Sequence, residues 1–153
     1  MFKFEQKFAV VDDLGQILFD HLFEELAERA IFENNQKPIL VPIPLSKKSL
    51  RARGYNQSEI IAKALAEKSD AKLIVENLLE KIKETATQHS IKNRNERLKN
   101  LRGVFAVKEN SKIKGRNIIL IDDITTTHGT LIEAKRALKD AGTRSVIGFT
   151  VAH

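Results

Sequence analysis

Apolar residues recur along the chain in two alternating patterns. From Leu14 to Ala30 they are spaced mainly by three or four positions, which predicts an amphipathic helix capped at Asp12 or Asp13. Helical spacing returns in stretches that start at Ser58 and Thr130, and a shorter basic helix is expected at 93–101. Between these stretches lie short apolar runs typical of buried strands, at 38–44, 71–75, 103–107, 117–121 and 145–152.

Strands that alternate with helices indicate an α/β fold. Right-handed crossovers then place the helices on both faces of a mostly parallel sheet. We expect one compact unit, 38–153, with residues 1–37 as an N-terminal helical segment packed on its core. A basic loop is expected from Leu45 to Gln57, and Glu80 to Ser90, which has no periodicity, is expected to be a second, long loop.

The composition excludes several classes of protein. The chain of 153 residues has no cysteine, which rules out a disulfide-stapled scaffold, a thiolate zinc or iron–sulfur centre and a cysteine nucleophile. No apolar run approaches the ~18 residues that span a bilayer, and the N-terminus lacks the apolar core of a signal peptide. We therefore expect a soluble, cytoplasmic protein.

The net charge of +6 is unevenly distributed. Residues 1–37 carry eight acidic and four basic side chains, whereas Leu45–Gln57 carries four basic ones and no acid. A second basic block runs from Lys81 to Arg102. The two blocks indicate an anionic partner, either nucleic acid or a phosphorylated metabolite, with an ordinary solvated surface as the alternative.

The most informative stretch runs from Ile121 to Thr130. An apolar strand ends in Asp122 and Asp123, and a Thr-rich turn with Gly129 leads directly into a helix. Ligands of parallel α/β sheets gather at the carboxyl ends of the strands. The N–H groups of such a turn and the helix N-terminus suit a phosphate, while the two carboxylates suit sugar hydroxyls or a Mg²⁺ ion. The alternative is a capped helix after an ordinary strand.

Three segments carry a resemblance to a known family. The run Ile121–Thr130 is similar to the phosphoribosyl-diphosphate (PRPP) motif of type I phosphoribosyltransferases. More narrowly, Val41–Gln57 with its Arg-Gly-Tyr-Asn-Gln ending, and the stretch from Lys83 to Phe105, resemble the ComF/GntX family of phosphoribosyltransferase-like competence proteins. The resemblance implies a type I phosphoribosyltransferase-like fold with a mobile hood loop.

The resemblance also implies roles for individual residues. Asp122 and Asp123 would be the catalytic acids that hold the ribose hydroxyls, and either could contact a Mg²⁺ ion bound through the ligand. The 5′-phosphate would be bound by Thr125, Thr126, Thr127, His128, Gly129 and Thr130, and the diphosphate by Arg51, Arg53 and Gly54. The hood is assigned to Lys81–Ile91, with contacts from Lys81, Lys83, Thr87 and Gln88.

Two features depart from the family pattern. His128 stands where the family has glycine, with Gly129 one position later, so the phosphate-binding turn must be built around a histidine or be shifted. ComF proteins usually carry an N-terminal four-cysteine zinc ribbon, whereas this sequence has no cysteine. We therefore expect a ribbon-less variant, in which residues 1–37 correspond to the helical segment after the ribbon.

Two functions fit these observations. The first is a Mg²⁺-dependent transfer of a phosphoribosyl group from PRPP to an unidentified nitrogenous acceptor, with release of diphosphate. The second is a non-catalytic nucleotide- or PRPP-binding module that acts in DNA uptake and transformation, through single-stranded DNA or a helicase partner. Arg94 and Arg97 are the candidate nucleic-acid contacts. The N-terminal phenylalanines are assigned to packing, with a homodimer contact as the alternative.

Overall fold

The computed structural model describes residues 2–29, 36–83, 94–123 and 128–150, with side chains from Gly15 onwards except those of residues 94, 97, 98 and 128. The helices are α1 (Phe2–Glu28), α2 (Lys47–Arg53), α3 (Gln57–Lys68), α4 (Arg94–Leu101), α5 (Asn110–Ile113) and α6 (His128–Asp140). The strands are β1 (Ile39–Pro42), β2 (Ile74–Val75), β3 (Leu79–Lys81), β4 (Phe105–Val107), β5 (Asn117–Asp122) and β6 (Ser145–Thr150).

Four of these strands form one parallel sheet, in the order β2-β1-β5-β6. Every residue of β1 and β5 is buried, which explains why their sequences are nearly unbroken apolar runs. The register pairs Pro42 with Ile121 and Asp122 with Thr150, so β1, β5 and β6 end at the same edge. The predicted mostly parallel α/β sheet is confirmed.

Different helices cover the two faces of the sheet. Successive residues of β5 point to opposite faces, as the pleat of a strand requires. Ile118 and Leu120 pack with buried residues of α6, α4 and the β3–β4 pair, whereas Ile119 and Ile121 pack with those of α1 and α3. Helices on both faces are therefore confirmed as well.

A second, two-stranded sheet consists of β3 and β4, which pair antiparallel. The prediction of a loop from Glu80 onwards is wrong at its start, because Leu79 is buried and residues 79–81 pair with Phe105–Val107. This pairing depends on a partner far along the chain, so local periodicity does not reveal it. The remainder of that predicted loop, 84–90, lies outside the described residues.

The predicted basic loop, Leu45–Gln57, contains the helix α2 instead. The side chain of Ser46 caps its start by accepting a hydrogen bond from the N–H of Ser49 at 3.2 Å. Gly54 caps its end with a φ of 81°, a conformation that favours glycine. No residue of α2 is buried, so the helix has no apolar stripe by which its sequence could indicate it.

Other element ends differ from the prediction. Helix α1 begins at Phe2 rather than near Asp12, because the spacing of three and four positions continues upstream through Phe4, Phe8 and Val11. The single-turn helix α5 has too few residues to show periodicity. Strand β2 occupies only the end of the apolar run 71–75.

Candidate functional site

At the carboxyl edge of the parallel sheet, the segment Val41–Gln57 begins beside the segment Ile121–Thr130. The backbone N–H of Ile43, just past β1, donates to the carbonyl of Ile121 at 2.9 Å. The chain that leaves β1 toward α2 therefore starts beside the residues that leave β5 toward α6. This is the edge at which ligands of parallel α/β sheets bind.

The two acids at the end of β5 lie in different surroundings. Asp122 is fully buried, and its Oδ1 accepts a hydrogen bond from the backbone N–H of Asp123 at 2.9 Å. Asp123 is only partly buried. Of the two predicted catalytic acids, Asp123 therefore has the side chain that solvent reaches, while Asp122 holds the turn that leaves the strand.

The predicted 5′-phosphate cradle is described only in part. His128, Gly129 and Thr130 form the start of α6, so their backbone is helical. A helical conformation does not require glycine, and the histidine that replaces the family glycine is compatible with this position. Thr125, Thr126 and Thr127 lie outside the described residues, as does the side chain of His128.

Between α2 and the end of β3 the surface forms a cleft of about 780 Å³, which we call the basic cleft. It brings the predicted diphosphate residue Arg51 together with the predicted hood residues Lys81 and Lys83. Arg53 and Gly54, which end α2, do not line it. The lining consists of Ser46, Lys47, Lys48, Arg51, Ala52, Glu80, Lys81, Ile82 and Lys83.

Three charged residues of the basic cleft were not predicted as site residues. Lys47 and Lys48 belong to the first basic block, but their place in the site depends on α2 being helical. Helical spacing sets Lys47 and Arg51 on the same side of α2, a relation that the sequence contains once the caps at Ser46 and Gly54 are recognised. Nothing in the local sequence indicates that Glu80 lies in the same cleft.

Positive charge outweighs negative charge in the basic cleft. Apart from Lys81, its bases form no ion pair within the ranges that the structure describes. Bases elsewhere on the surface do form pairs, such as Lys63 with Glu59 at 3.0 Å and Lys112 with Glu109 at 2.9 Å. Five basic side chains against the single acid Glu80 produce a positive potential that attracts an anion.

An ion pair with a buried carboxylate lies close to Lys83 of the basic cleft. Glu133 of α6 accepts a hydrogen bond from the N–H of Gly103 at 2.8 Å and binds Arg136 through two further bonds of 2.6 and 2.9 Å. Burial raises the pKa of the Glu133 carboxyl, but the hydrogen bonds from Arg136 and Gly103 outweigh it, and the net pKa is lowered. Lys83 Nζ lies beside Gly103, at 3.5 Å from where a Cβ would be.

The predicted nucleic-acid contacts lie in α4. The backbone of Arg94 and Arg97 lies in α4, but their side chains are outside the described ones. Thr87 and Gln88 of the hood also lie outside the described residues. The described residues contain no cluster of three or more histidine or acidic side chains that could hold a metal by themselves.

Among the described residues, no helix combines the length and the apolar character needed to cross a bilayer.

Comparison with known proteins supports the fold and the family. The model of the phosphoribosyl transferase domain matches residues 15–153. A solved structure described as the allosteric regulatory enzyme of purine biosynthesis shares the fold with a TM-score of 0.54, at 16% identity, over 94% of this chain and 25% of that one.

Curated relatives narrow the family further. Competence protein ComFC of Bacillus subtilis is 41% identical over 114 residues, which are 74% of this chain and 43% of that protein. Competence protein F of Haemophilus influenzae is 30% identical over 150 residues, 95% of this chain and 62% of that protein. The chain thus spans about half the length of these relatives. It belongs to the phosphoribosyl transferase domain family, within the ComF group of phosphoribosyltransferase-like proteins.

Proposed function

We propose that the chain binds PRPP and transfers its phosphoribosyl group to a nitrogenous acceptor, with release of diphosphate. The observation that carries this proposal is the basic cleft, in which Lys47, Lys48, Arg51 and Lys83 have no ion-pair partner among the described residues. The chain that leads to its helix α2 starts at Ile43, which is bonded to Ile121 at the sheet edge that ends in Asp122 and Asp123. A diphosphate is small, highly charged and rich in hydrogen-bond acceptors, and it matches this set of donors. Arg51 supplies a planar guanidinium that can bind two phosphate oxygens at once.

The reaction needs no covalent bond to the protein. A bond forms from the acceptor nitrogen to the anomeric carbon while the bond from that carbon to the diphosphate oxygen breaks. The electron pair leaves with the diphosphate, so negative charge accumulates on the leaving group in the transition state. Arg51, Lys81 and Lys83 would stabilise that charge in the basic cleft.

The ribose end of PRPP would lie at the start of α6. Asp123, which solvent reaches, would accept hydrogen bonds from the ribose hydroxyls, and the N-terminal turn of α6 would face the 5′-phosphate. Mg²⁺ prefers oxygen ligands and usually keeps several waters. With no three-residue metal cluster among the described side chains, a Mg²⁺ ion would be held mainly by the diphosphate oxygens and water.

Calorimetric titration with PRPP and Mg²⁺ tests the binding step. We expect Arg51→Ala to weaken binding about tenfold or more, since it removes a charge-assisted contact. Lys63→Ala is the matched control, because it removes one positive charge from α3 outside the cleft. If the wild type shows no heat of binding at millimolar PRPP, the proposal is wrong.

A second candidate function is a non-catalytic binding module in DNA uptake. The observation that favours it is the similarity to relatives named competence proteins. A diphosphate-release assay with a panel of nitrogenous acceptors separates the two functions. PRPP binding without release, combined with salt-sensitive binding of single-stranded DNA, would favour the second function over the first.

A further inference from the structure

The position of α2 is not set by hydrophobic packing. All its residues are exposed except Ser49, which is half-buried, so no side chain of the helix is inserted into the core. Its charges also oppose an ordered position, since Lys47 and Lys48 lie at the positive end of the helix dipole and near one another. Polar bonds at the ends of the segment must therefore hold the helix in place.

Asn56 makes two such bonds, in opposite directions. Its Nδ2 donates to the carbonyl of Ile43 at 3.0 Å, across the base of the segment that contains α2. Its Oδ1 accepts from the backbone N–H of Ser58 at 3.1 Å and so caps α3. Rotating the amide would set oxygen against oxygen and donor against donor, so the two bonds together fix its orientation.

A second hydrogen bond links Ile43 to the end of β5, where the two acids lie. The same Ile43 residue that accepts from Asn56 through its C=O donates through its N–H to Ile121, the residue before Asp122. Asn56 is thus two hydrogen bonds away from the strand that carries the acids. This connection closes the segment that contains α2 and joins it to β5 and to the start of α3.

We propose that Asn56 is a positioning residue, which sets the distance between the bases of α2 and the acids at the end of β5. The inference rests on the proposed function, because it assigns Asn56 a role in diphosphate binding that passes through Arg51 and its neighbours. Asn56 does not line the basic cleft. Its effect on the ligand is therefore indirect and comes from the placement of α2.

The alternative is that Asn56 only caps α3. Asn56→Ser separates the two roles, because serine is as good an N-cap as asparagine but cannot donate to the carbonyl of Ile43 from the same place. Asn56→Ala removes both bonds. Ser69→Ala is the matched control at the other end of α3, where the Ser69 hydroxyl donates to Ala66 at 2.6 Å and accepts from Leu73 at 3.1 Å.

The experiment measures the affinity for inorganic diphosphate by calorimetry and the Tm by thermal unfolding, for the wild type and the three variants. We expect Asn56→Ser to weaken diphosphate binding about three- to tenfold with little change in Tm. Ser69→Ala should lower the Tm and leave the affinity unchanged. This split between affinity and Tm is not expected of a residue that acts only on stability.

Each other outcome has a distinct meaning. Wild-type affinity in Asn56→Ser, together with a loss in Asn56→Ala that follows the fall in Tm, would overturn the positioning role and leave the proposed function intact. Failure of the wild type to bind diphosphate would instead overturn the proposed function itself. An equal loss of affinity in Ser69→Ala would show that any weakening of α3 has the same effect, and would also contradict the inference.

Discussion

The carboxylate of Glu133 accepts a hydrogen bond from the backbone N–H of Gly103 at 2.8 Å. This bond joins α6, which begins at the predicted phosphate cradle, to the turn between α4 and β4. Glu133 is 6% exposed and stays ionised because Arg136 binds both of its oxygens. The contribution of Glu133 to the stability of the fold should therefore depend on pH.

The pKa of Glu133 is lower in the folded chain than its ordinary value, so the unfolded chain binds a proton there more readily. Its contribution to stability is therefore present above the pKa of the unfolded state and is lost as pH falls through the folded pKa. Glu133→Gln should lose about 1–3 kcal/mol of unfolding free energy at neutral pH, and less near pH 3. Urea unfolding at both pH values measures this difference, and equal losses at both would contradict it.

Two glycines with positive φ should differ in their effect on diphosphate binding when they are replaced by alanine. Gly54 and Gly115 have φ values of 81° and 73°, and a Cβ at either position would meet no atom within 4 Å. Alanine should therefore cost about 1–2 kcal/mol of backbone strain at each position. Only Gly54→Ala affects the end of α2, so it alone should weaken diphosphate binding. Equal diphosphate affinities of the two variants by calorimetry would argue against this role of α2.

Substitution of Glu80 should strengthen diphosphate binding, whereas the preceding variant should weaken it. It is the single acid among the residues that line the basic cleft. Glu80→Gln removes a negative charge from the neighbourhood of the ligand with almost no change in shape, so diphosphate should bind more tightly, by about two- to fivefold. Glu67→Gln, an exposed acid of α3, is the control. A weaker affinity in Glu80→Gln would mean that Glu80 contacts the ligand as an acceptor.

A higher ionic strength should weaken diphosphate binding. Three of the five bases of the cleft lie exposed on α2, and salt screens exposed charges more strongly than buried ones. The dissociation constant of diphosphate should rise at least several-fold between about 50 and 500 mM NaCl. Lys47→Ala combined with Lys48→Ala should reduce the slope. An affinity that does not depend on salt would place diphosphate elsewhere in the chain.

The sequence predicts the centre of the fold better than its periphery. Strands β1 and β5 are predicted because burial on both faces requires nearly continuous apolar residues, and that requirement is local. Strand β6 is predicted from its own apolar run, although it is only partly buried. Their shared carboxyl edge follows from the rule for parallel sheets, so the place of Asp122 and Asp123 was also predictable.

The rest depends on information that periodicity does not contain. Helix α2 is defined by the caps at Ser46 and Gly54 rather than by an apolar stripe, and β3 is defined by its distant partner β4. The basic cleft lies between these two elements. Arg51 and Lys83 were identified as separate candidates by the resemblance, but their common cleft required the tertiary structure.

A matched pair of leucines tests how separate α2 is from the core. Leu120 is fully buried in β5, whereas Leu50 of α2 is 43% exposed. Leu120→Ala should lower the unfolding free energy by about 2–5 kcal/mol. Leu50→Ala should lower it by less than about 1 kcal/mol. Chemical denaturation measures both values, and comparable losses would show that α2 is part of the folding core.

The absence of buried side chains in α2 also has an evolutionary consequence. Most substitutions in a protein are constrained because they disturb its core, but those in α2 leave the sheet and its two hydrophobic clusters intact. Selection can therefore alter the charge and length of side chains along this helix at little risk to the fold. A scaffold built in this way can acquire a preference for a different anion through changes in one short exposed segment.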